Sequence, residues 1–421
     1  MEEIDKGKEG EDFVNKIAYK SFLKAFCFPN PLDITKDYKE ISDLLILFND
    51  ICIIISVKNY KFDGNYERYF KKTINKSINQ INGAERLLFR DSPIVLLKHP
   101  DRHEIAFDKK KYKKVFRLIV NINSEVKFYP TSIQINNKNF AVFDSLAWEN
   151  AITILDTIPD FIQFLERRIE LFDNKPGIIF PREEDDFSDS DRVYAIKIIN
   201  DLIEGSTPRF NIILGSEQDL IAEYILSGYD FSDKIKNVEV DTKFLKLDGR
   251  WDQLNQYEEF SKAKLSYKHS YLIDSLVKEM IIDKKGGEFL SEILYSMNRL
   301  ERECLAKNFL EYCEQQREQF KSRDKLKFNR TICKIGKYYI VFMFFDDGYP
   351  QKELEFFMMM SMRQCNYLED FKLLNVGTIA QSQSGNKYLF GYYDAKSDHL
   401  NETDKLNFEK DLINLGWKTK L

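Results

Sequence analysis

Asp43-Leu44-Leu45-Ile46-Leu47-Phe48-Asn49-Asp50-Ile51-Cys52-Ile53-Ile54-Ile55-Ser56-Val57-Lys58 reads as two apolar strands folded about a two-residue turn. Asn49-Asp50 suits the type I′ turn, because Asn and Asp tolerate φ > 0. Such a turn pairs Phe48 with Ile51 and, counting outward, sets Asp43 opposite Ser56. Lys58 lies two residues beyond Ser56, so the period of two sends both side chains to one face of the sheet. A carboxylate, a hydroxyl and an ammonium then converge on one patch. Burying such groups costs free energy unless they are partnered, so an apolar hairpin gains no stability from them. The patch therefore reads as a site.

Two helices are predicted to flank the hairpin. From Gly7 to Phe26, Val14, Ala18 and Phe22 recur at helical spacing, and Glu11 stands at the end of that inward stripe. The plainer reading of Glu11 is a first-turn acid that complements the helix dipole. The second helix, from Tyr66 to Phe89, carries an apolar stripe of Phe70, Ile74, Ile78 and Ile81. Beside it runs a small and polar strip of Thr73, Ser77, Gln80 and Ala84, which permits close approach and points Gln80 at whatever the helix covers. A third row, Arg68, Lys72 and Lys76, repeats every fourth residue. Like charges at that spacing repel. The row is either a solvated face or one that awaits an anionic partner.

Taken together, these residues resemble the PD-(D/E)xK nuclease superfamily and, within it, the nuclease-related domain. That group has a helix with Gly-x-x-Gly-Glu, an Ile-Asp strand, an acid-x-Lys strand and a helix with an inward Gln. Gly7-Lys8-Glu9-Gly10-Glu11, Asp43, Ser56-Val57-Lys58 and Gln80 stand at those places, within about residues 5 to 95. Ser56 departs from the pattern, since the family carries Glu, Asp or Gln there. The resemblance implies a restriction-endonuclease-like mixed sheet flanked by helices, and Mg²⁺ or Mn²⁺ as cofactor. It makes Asp43 the central metal ligand, places Glu11 on a second metal or its water, and gives Lys58 the tasks of orienting or deprotonating water and offsetting phosphate charge. Glu40 can take the place that Ser56 vacates only if a bulge intervenes or if it precedes the regular strand, because strict alternation turns it to the opposite face.

Composition bounds the rest. With 421 residues, 43% hydrophobic and 14% aromatic, the chain can bury ample core and should divide into two or three domains. The division predicted is a nuclease-like domain over 1–130, a mainly helical region over 131–325 and a small α+β region over 326–421, an α/β (α+β) chain as a whole. A helix is expected over Ala147–Phe172, kinked or split by Pro159. Strands are expected at Ile94–Lys98, Val115–Asn121, Ser132–Ile135, Tyr338–Phe345, Val376–Ile379 and Tyr388–Tyr392, with a helix over Glu353–Leu368. Six cysteines form no Cys-x-x-Cys pair, and several lie in apolar runs that suit buried reduced thiols. No membrane span or signal peptide is read, so the cytoplasm is the default location.

The net charge of −5 is unevenly spread: Lys58 to Lys114 holds 15 Lys or Arg against 7 Asp or Glu. Local fields of this kind, rather than the total, govern phosphate binding. The acidic run over 183–191 reads as a solvated loop. No Gly-x-x-x-x-Gly-Lys-Ser/Thr loop is present, which excludes a nucleotide motor of that type. The function expected is a metal-dependent nuclease that acts on nucleic acid, DNA before RNA. By analogy it belongs with bacterial restriction or anti-phage effectors, its C-terminal region sensing, binding a partner protein or assembling a homo-oligomer. The competing class is a binding module that keeps the fold and basic surface but not the metal.

Overall fold

The computed structural model describes residues 6–21, 26–33, 39–91, 94–99, 102–122, 126, 128–173, 177–179, 193, 197, 212–237, 245–258, 260, 262, 266–281, 287–320, 327–370, 372, 375–394 and 401–417. The acidic run over 183–191 lies outside them. The chain divides into two compact units, Met1–Lys262 and Ala263–Leu421, each of mixed α/β character. No helix among the described residues is long and apolar enough to cross a membrane.

The central sheet of the first unit runs in the order β1 (Cys27–Pro29), β4 (Leu44–Phe48), β5 (Ile51–Asn59), β8 (Lys114–Ile122), β11 (Lys138–Asp144) and β10 (Ser132–Ile135). The hairpin β4–β5 is antiparallel with Phe48 opposite Ile51, the register that a two-residue loop imposes. Asn49 takes the left-handed conformation, φ 50°, and Asp50 does not, so the turn is not the type I′ turn expected. Loop length alone keeps the register. Strands β5, β8 and β11 are parallel and set Lys58, Asn121 and Asp144 in one row at their carboxyl ends. Ligands collect at that end of parallel sheets.

A second sheet orders β3 (Lys39–Glu40), β2 (Leu32–Asp33), β6 (Leu96–His99) and β7 (Arg102–Ala106). It carries Glu40 and is tied back by the buried Asp33, whose carboxylate takes Arg90 at 2.9 Å. A third sheet joins β9 (Tyr129–Pro130) to the parallel strands β12 (Gly177–Ile179), β13 (Ile212–Leu214) and β14 (Leu245–Leu247).

Helix α1 (Lys6–Ser21) buries Val14 and Ala18. Gly10 lets it close on the sheet: a Cβ there would lie 3.0 Å from Asn59 Cβ and 3.4 Å from Ile122 Cδ1. Gly10→Val should therefore lower stability by about 1–3 kcal/mol, the usual cost of overpacking, and should displace the neighbouring Glu11. An unchanged denaturation midpoint would show that α1 is not clamped at this position. The second helix expected from Tyr66 is three segments in series: α2 (Tyr66–Phe70), a π-helical stretch (Lys71–Asn75) and α3 (Lys76–Leu88). Its apolar stripe Phe70, Ile74, Ile78 and Ile81 is buried, as are Thr73, Ser77 and Ala84 of the small strip.

One expectation is corrected and two are refined. Residue 130 is not a boundary, because β11 pairs with β8 and extends the central sheet past it. Among the described residues of 131–325 helices predominate, but β11 to β14 lie there as well and were not expected, most of them too short to show a period. The helix expected over 147–172 is split, as Pro159 suggested, into α4 (Ser145–Ile154) and α5 (Ile158–Phe172). The break precedes Pro159, because Thr157 caps α5 by accepting the Asp160 N–H at 3.2 Å and proline fits a first helical turn.

The second unit centres on a four-stranded sheet, β15 (Phe328–Ile335), β16 (Tyr338–Phe345), β17 (Asn375–Ser382) and β18 (Tyr388–Asp394). Helix Gln351–Leu368 packs its Leu354, Met358, Met362 and Cys365 into that sheet's core. Of the six free thiols, Cys304 is exposed and the other five are buried.

Candidate functional site

Asp43 sits at a bend just before β4 and is 4% exposed. Its Oδ2 accepts the Val57 N–H at 2.5 Å and faces Lys58 Nζ at 3.5 Å, and its Oδ1 accepts Gln80 Nε2 at 3.3 Å. Lys58 Nζ donates to Gln80 Oε1 at 2.7 Å, Val57 O at 2.8 Å and Ser56 Oγ at 2.9 Å. Gln80 thus bridges the carboxylate and the ammonium through the two ends of one amide, and neither charged group is free to swing away. α3 supplies Gln80 from above the sheet face that bears Lys58.

Ser56 Oγ lies 3.1 Å from both Ser77 Oγ and Gln80 Oε1. The hydroxyl has one proton to give, so it serves one acceptor at a time. Ser56 is buried against the helix and helps to seat Lys58. A carboxylate at position 56 would have to displace Ser77, which is fully buried.

The third carboxylate comes from elsewhere. Ligand atoms of Glu11, Glu40 and Asp43 lie within 4.8 Å of one another. Glu40 belongs to β3 of the second sheet, so it precedes β4 and escapes the alternation that would have turned it away. Glu11 arrives from α1, and Asn30 Nδ2 donates to its Oε2 at 2.9 Å. Asn30 is itself locked, with φ 43° and its N–H on the Asp43 carbonyl at 3.0 Å. Asn30 and Ser77 are the contributors to the site that the motif reading did not assign; Asn30-Pro31, a turn dipeptide, was the available signal for the first.

The electrostatics are those of a carboxylate cluster that lacks enough positive charge. Burial raises the Glu11 carboxyl above its ordinary value, the Asn30 hydrogen bond opposes this, and Asp43 raises it again. Burial likewise raises Glu40, helped by Asp43 and then Glu11. Burial depresses the Lys58 ammonium, with Asp43 opposing and Lys76 reinforcing. Three carboxylate oxygens at this separation form a donor set for a hard divalent cation, Mg²⁺ or Mn²⁺, which would relieve their mutual repulsion. The residues present fit such an ion.

The basic row is only partly available. Arg68 pairs with Asp63 at 2.9 Å, and Lys72 lies over the Tyr60 ring, 4.8 Å from its centroid. Lys76 is exposed and near enough to Lys58 to repel its ammonium. Compared with protein-family models, curated proteins and solved structures, the chain shows no significant match.

Proposed function

We propose that the first unit is a metal-dependent nuclease of the PD-(D/E)xK type, hydrolysing phosphodiester bonds of nucleic acid, with DNA favoured over RNA by analogy. The observation that carries this reading is the convergence of Glu11, Glu40 and Asp43 within 4.8 Å, with Lys58 held 3.5 Å from Asp43. A largely buried ammonium facing one of three clustered carboxylates has little structural use, because burying charge costs more than its pairing returns unless the geometry serves something else.

Asp43, Glu11 and Glu40 would hold Mg²⁺ or Mn²⁺, which when bound supplies Lewis acidity and a more acidic water. Lys58 Nζ orients the attacking water, takes part in moving its proton, and offsets the charge that grows on the phosphate. Gln80 fixes Lys58 against Asp43. Asn30 fixes Glu11. By analogy alone the setting we favour is bacterial anti-phage defence or restriction, with the second unit as the sensing, partner-binding or self-assembling part.

A cleavage assay with Mn²⁺ on plasmid, single-stranded DNA and RNA tests the reading. Protein that takes up no divalent cation at millimolar concentration and cuts none of these substrates leaves the non-catalytic binding module standing. A sharper prediction separates Glu40 from Ser56. Glu40→Ala should weaken Mn²⁺ binding about ten- to a hundredfold, the scale seen for groups that hold or orient metal ligands. Ser56→Ala should change it less than about fivefold, because removing one hydrogen bond of a shared set costs about 1 kcal/mol or less. Calorimetric titration reads both. Equal losses would mean that Glu40 has not assumed the role of the missing acid.

A further inference from the structure

Beyond Lys58 the chain leaves the sheet through Asn59-Tyr60-Lys61-Phe62-Asp63-Gly64-Asn65 and enters α2. From Lys58 to Lys76 it holds six Lys or Arg against two acids, Asp63, which is taken by Arg68, and Glu67. Interleaved with the cations are aromatic rings. Tyr66 and Phe70 pack against Phe128, with centroids at 4.1 and 5.9 Å, and Phe70 belongs to the core. Tyr60 and Phe62 are half-exposed, and both lean on the fully buried Tyr69, at 6.1 and 5.7 Å. They form a shelf backed by Tyr69, with the Lys72 ammonium lying over the Tyr60 ring, where a base would take its place and leave Lys72 to a phosphate.

The order of contacts shows where the shelf leads. Read backwards along the helical segments, Gln80 touches Lys58, Lys76 stands about one turn before Gln80, Lys72 covers Tyr60 and Arg68 reaches Asp63. The basic row therefore follows the exit path of the chain outward from the carboxylates. Tyr60, two residues from Lys58, is the first ring on that path.

We infer that this shelf binds single-stranded nucleic acid, with a base stacked on Tyr60 next to the scissile phosphate and the backbone led along Lys76, Lys72 and Arg68. The inference rests on the nuclease reading for what happens at Lys58, and names the form of its substrate. Two observations favour a single strand over a duplex. An aromatic shelf is useful only to a base whose face is free, and every base offers one once unstacked. The groups to be reached are deep, with side chains 5% exposed at Asp43 and 13% at Lys58, where a flexible strand fits and paired strands do not.

The test is fluorescence anisotropy on the full chain in EDTA, so that no cleavage occurs, with labelled single-stranded DNA, the duplex of the same sequence, and single-stranded RNA. Single strands should bind at least about tenfold tighter than the duplex, and the DNA and RNA arms report the sugar preference. Tyr60→Ala should lose about tenfold or more, the scale of one stacked base, whereas Tyr60→Phe should stay within about threefold of wild type. An oligonucleotide of abasic sites should bind wild type as weakly as the normal strand binds Tyr60→Ala. Lys72→Glu and Lys76→Glu should weaken binding and flatten its salt dependence. Duplex bound as tightly as single strand, or Tyr60→Ala binding like wild type, overturns the inference. Because catalysis is not read, protein that prefers single strands yet never cuts removes only the nuclease reading, and protein that cuts duplex without that preference removes only this one.

Discussion

Asp43→Ala should abolish cleavage, by about a thousandfold or to the limit of detection, and should remove stoichiometric Mn²⁺ binding. Asp43 is the one member of the carboxylate set that is both buried and bonded to the strand that carries Lys58, through the Val57 N–H at 2.5 Å. Removing it leaves Glu11 and Glu40 on two separate elements with nothing between them. It also leaves the Lys58 ammonium without its nearest carboxylate. Loss of metal-assisted chemistry accounts for the size of the effect. The fold should survive at reduced stability, because the lost carboxylate leaves the Val57 N–H and the Lys58 ammonium without their acceptor; circular dichroism reports the fold and the melting midpoint the loss. Purified Asp43→Ala protein that cuts at the wild-type rate would place the chemistry elsewhere in the chain.

The sequence made the hairpin legible because a two-residue loop leaves no freedom in register. Phe48 meets Ile51 whatever the turn type, and the failure of Asp50 to take positive φ changed nothing downstream. The inward set of the second helix was legible for the same local reason, as Ser77 and Gln80 follow from the apolar stripe beside them. Glu40 was not. Its position depends on β3 pairing with β2, and β2 with β6, more than 50 residues away along the chain, and no local period encodes that. The π-helical stretch was also invisible, since it shifts the basic row without altering its spacing in sequence. One miss had a signal: Asn136 and Asn137 take φ 50° and 59° and turn β10 into β11, an Asn-Asn pair between two strands as suggestive as Asn49-Asp50. Strands β13 and β14, three residues each, are too short to show a period.

Lys58→Ala should lower the cleavage rate by two or more orders of magnitude with little loss of nucleic-acid binding. General acid–base help from one side chain is worth about 10²–10⁴-fold, and Lys58 is the cation that the carboxylate cluster itself holds in place. Its surroundings predict the asymmetry between rate and binding. The side chain is largely buried and donates to Gln80, Val57 and Ser56 at 2.7–2.9 Å, so it has no reach outward to capture a strand at the surface. Its removal frees Gln80 Oε1 to accept from Ser56 alone, and Gln80 Nε2 still holds Asp43, so the fold around the acids should persist. Lys58→Arg should not rescue activity. A guanidinium is planar, branched and held charged at every accessible pH, whereas this position has shaped a close nest for a single nitrogen and depressed its proton affinity by burial. Single-turnover rates of the three proteins at saturating Mn²⁺, with anisotropy on the same oligonucleotide, decide the matter. A Lys58→Arg enzyme at wild-type rate would reduce Lys58 to a bare positive charge, and a Lys58→Ala enzyme that lost affinity rather than rate would make it a substrate anchor.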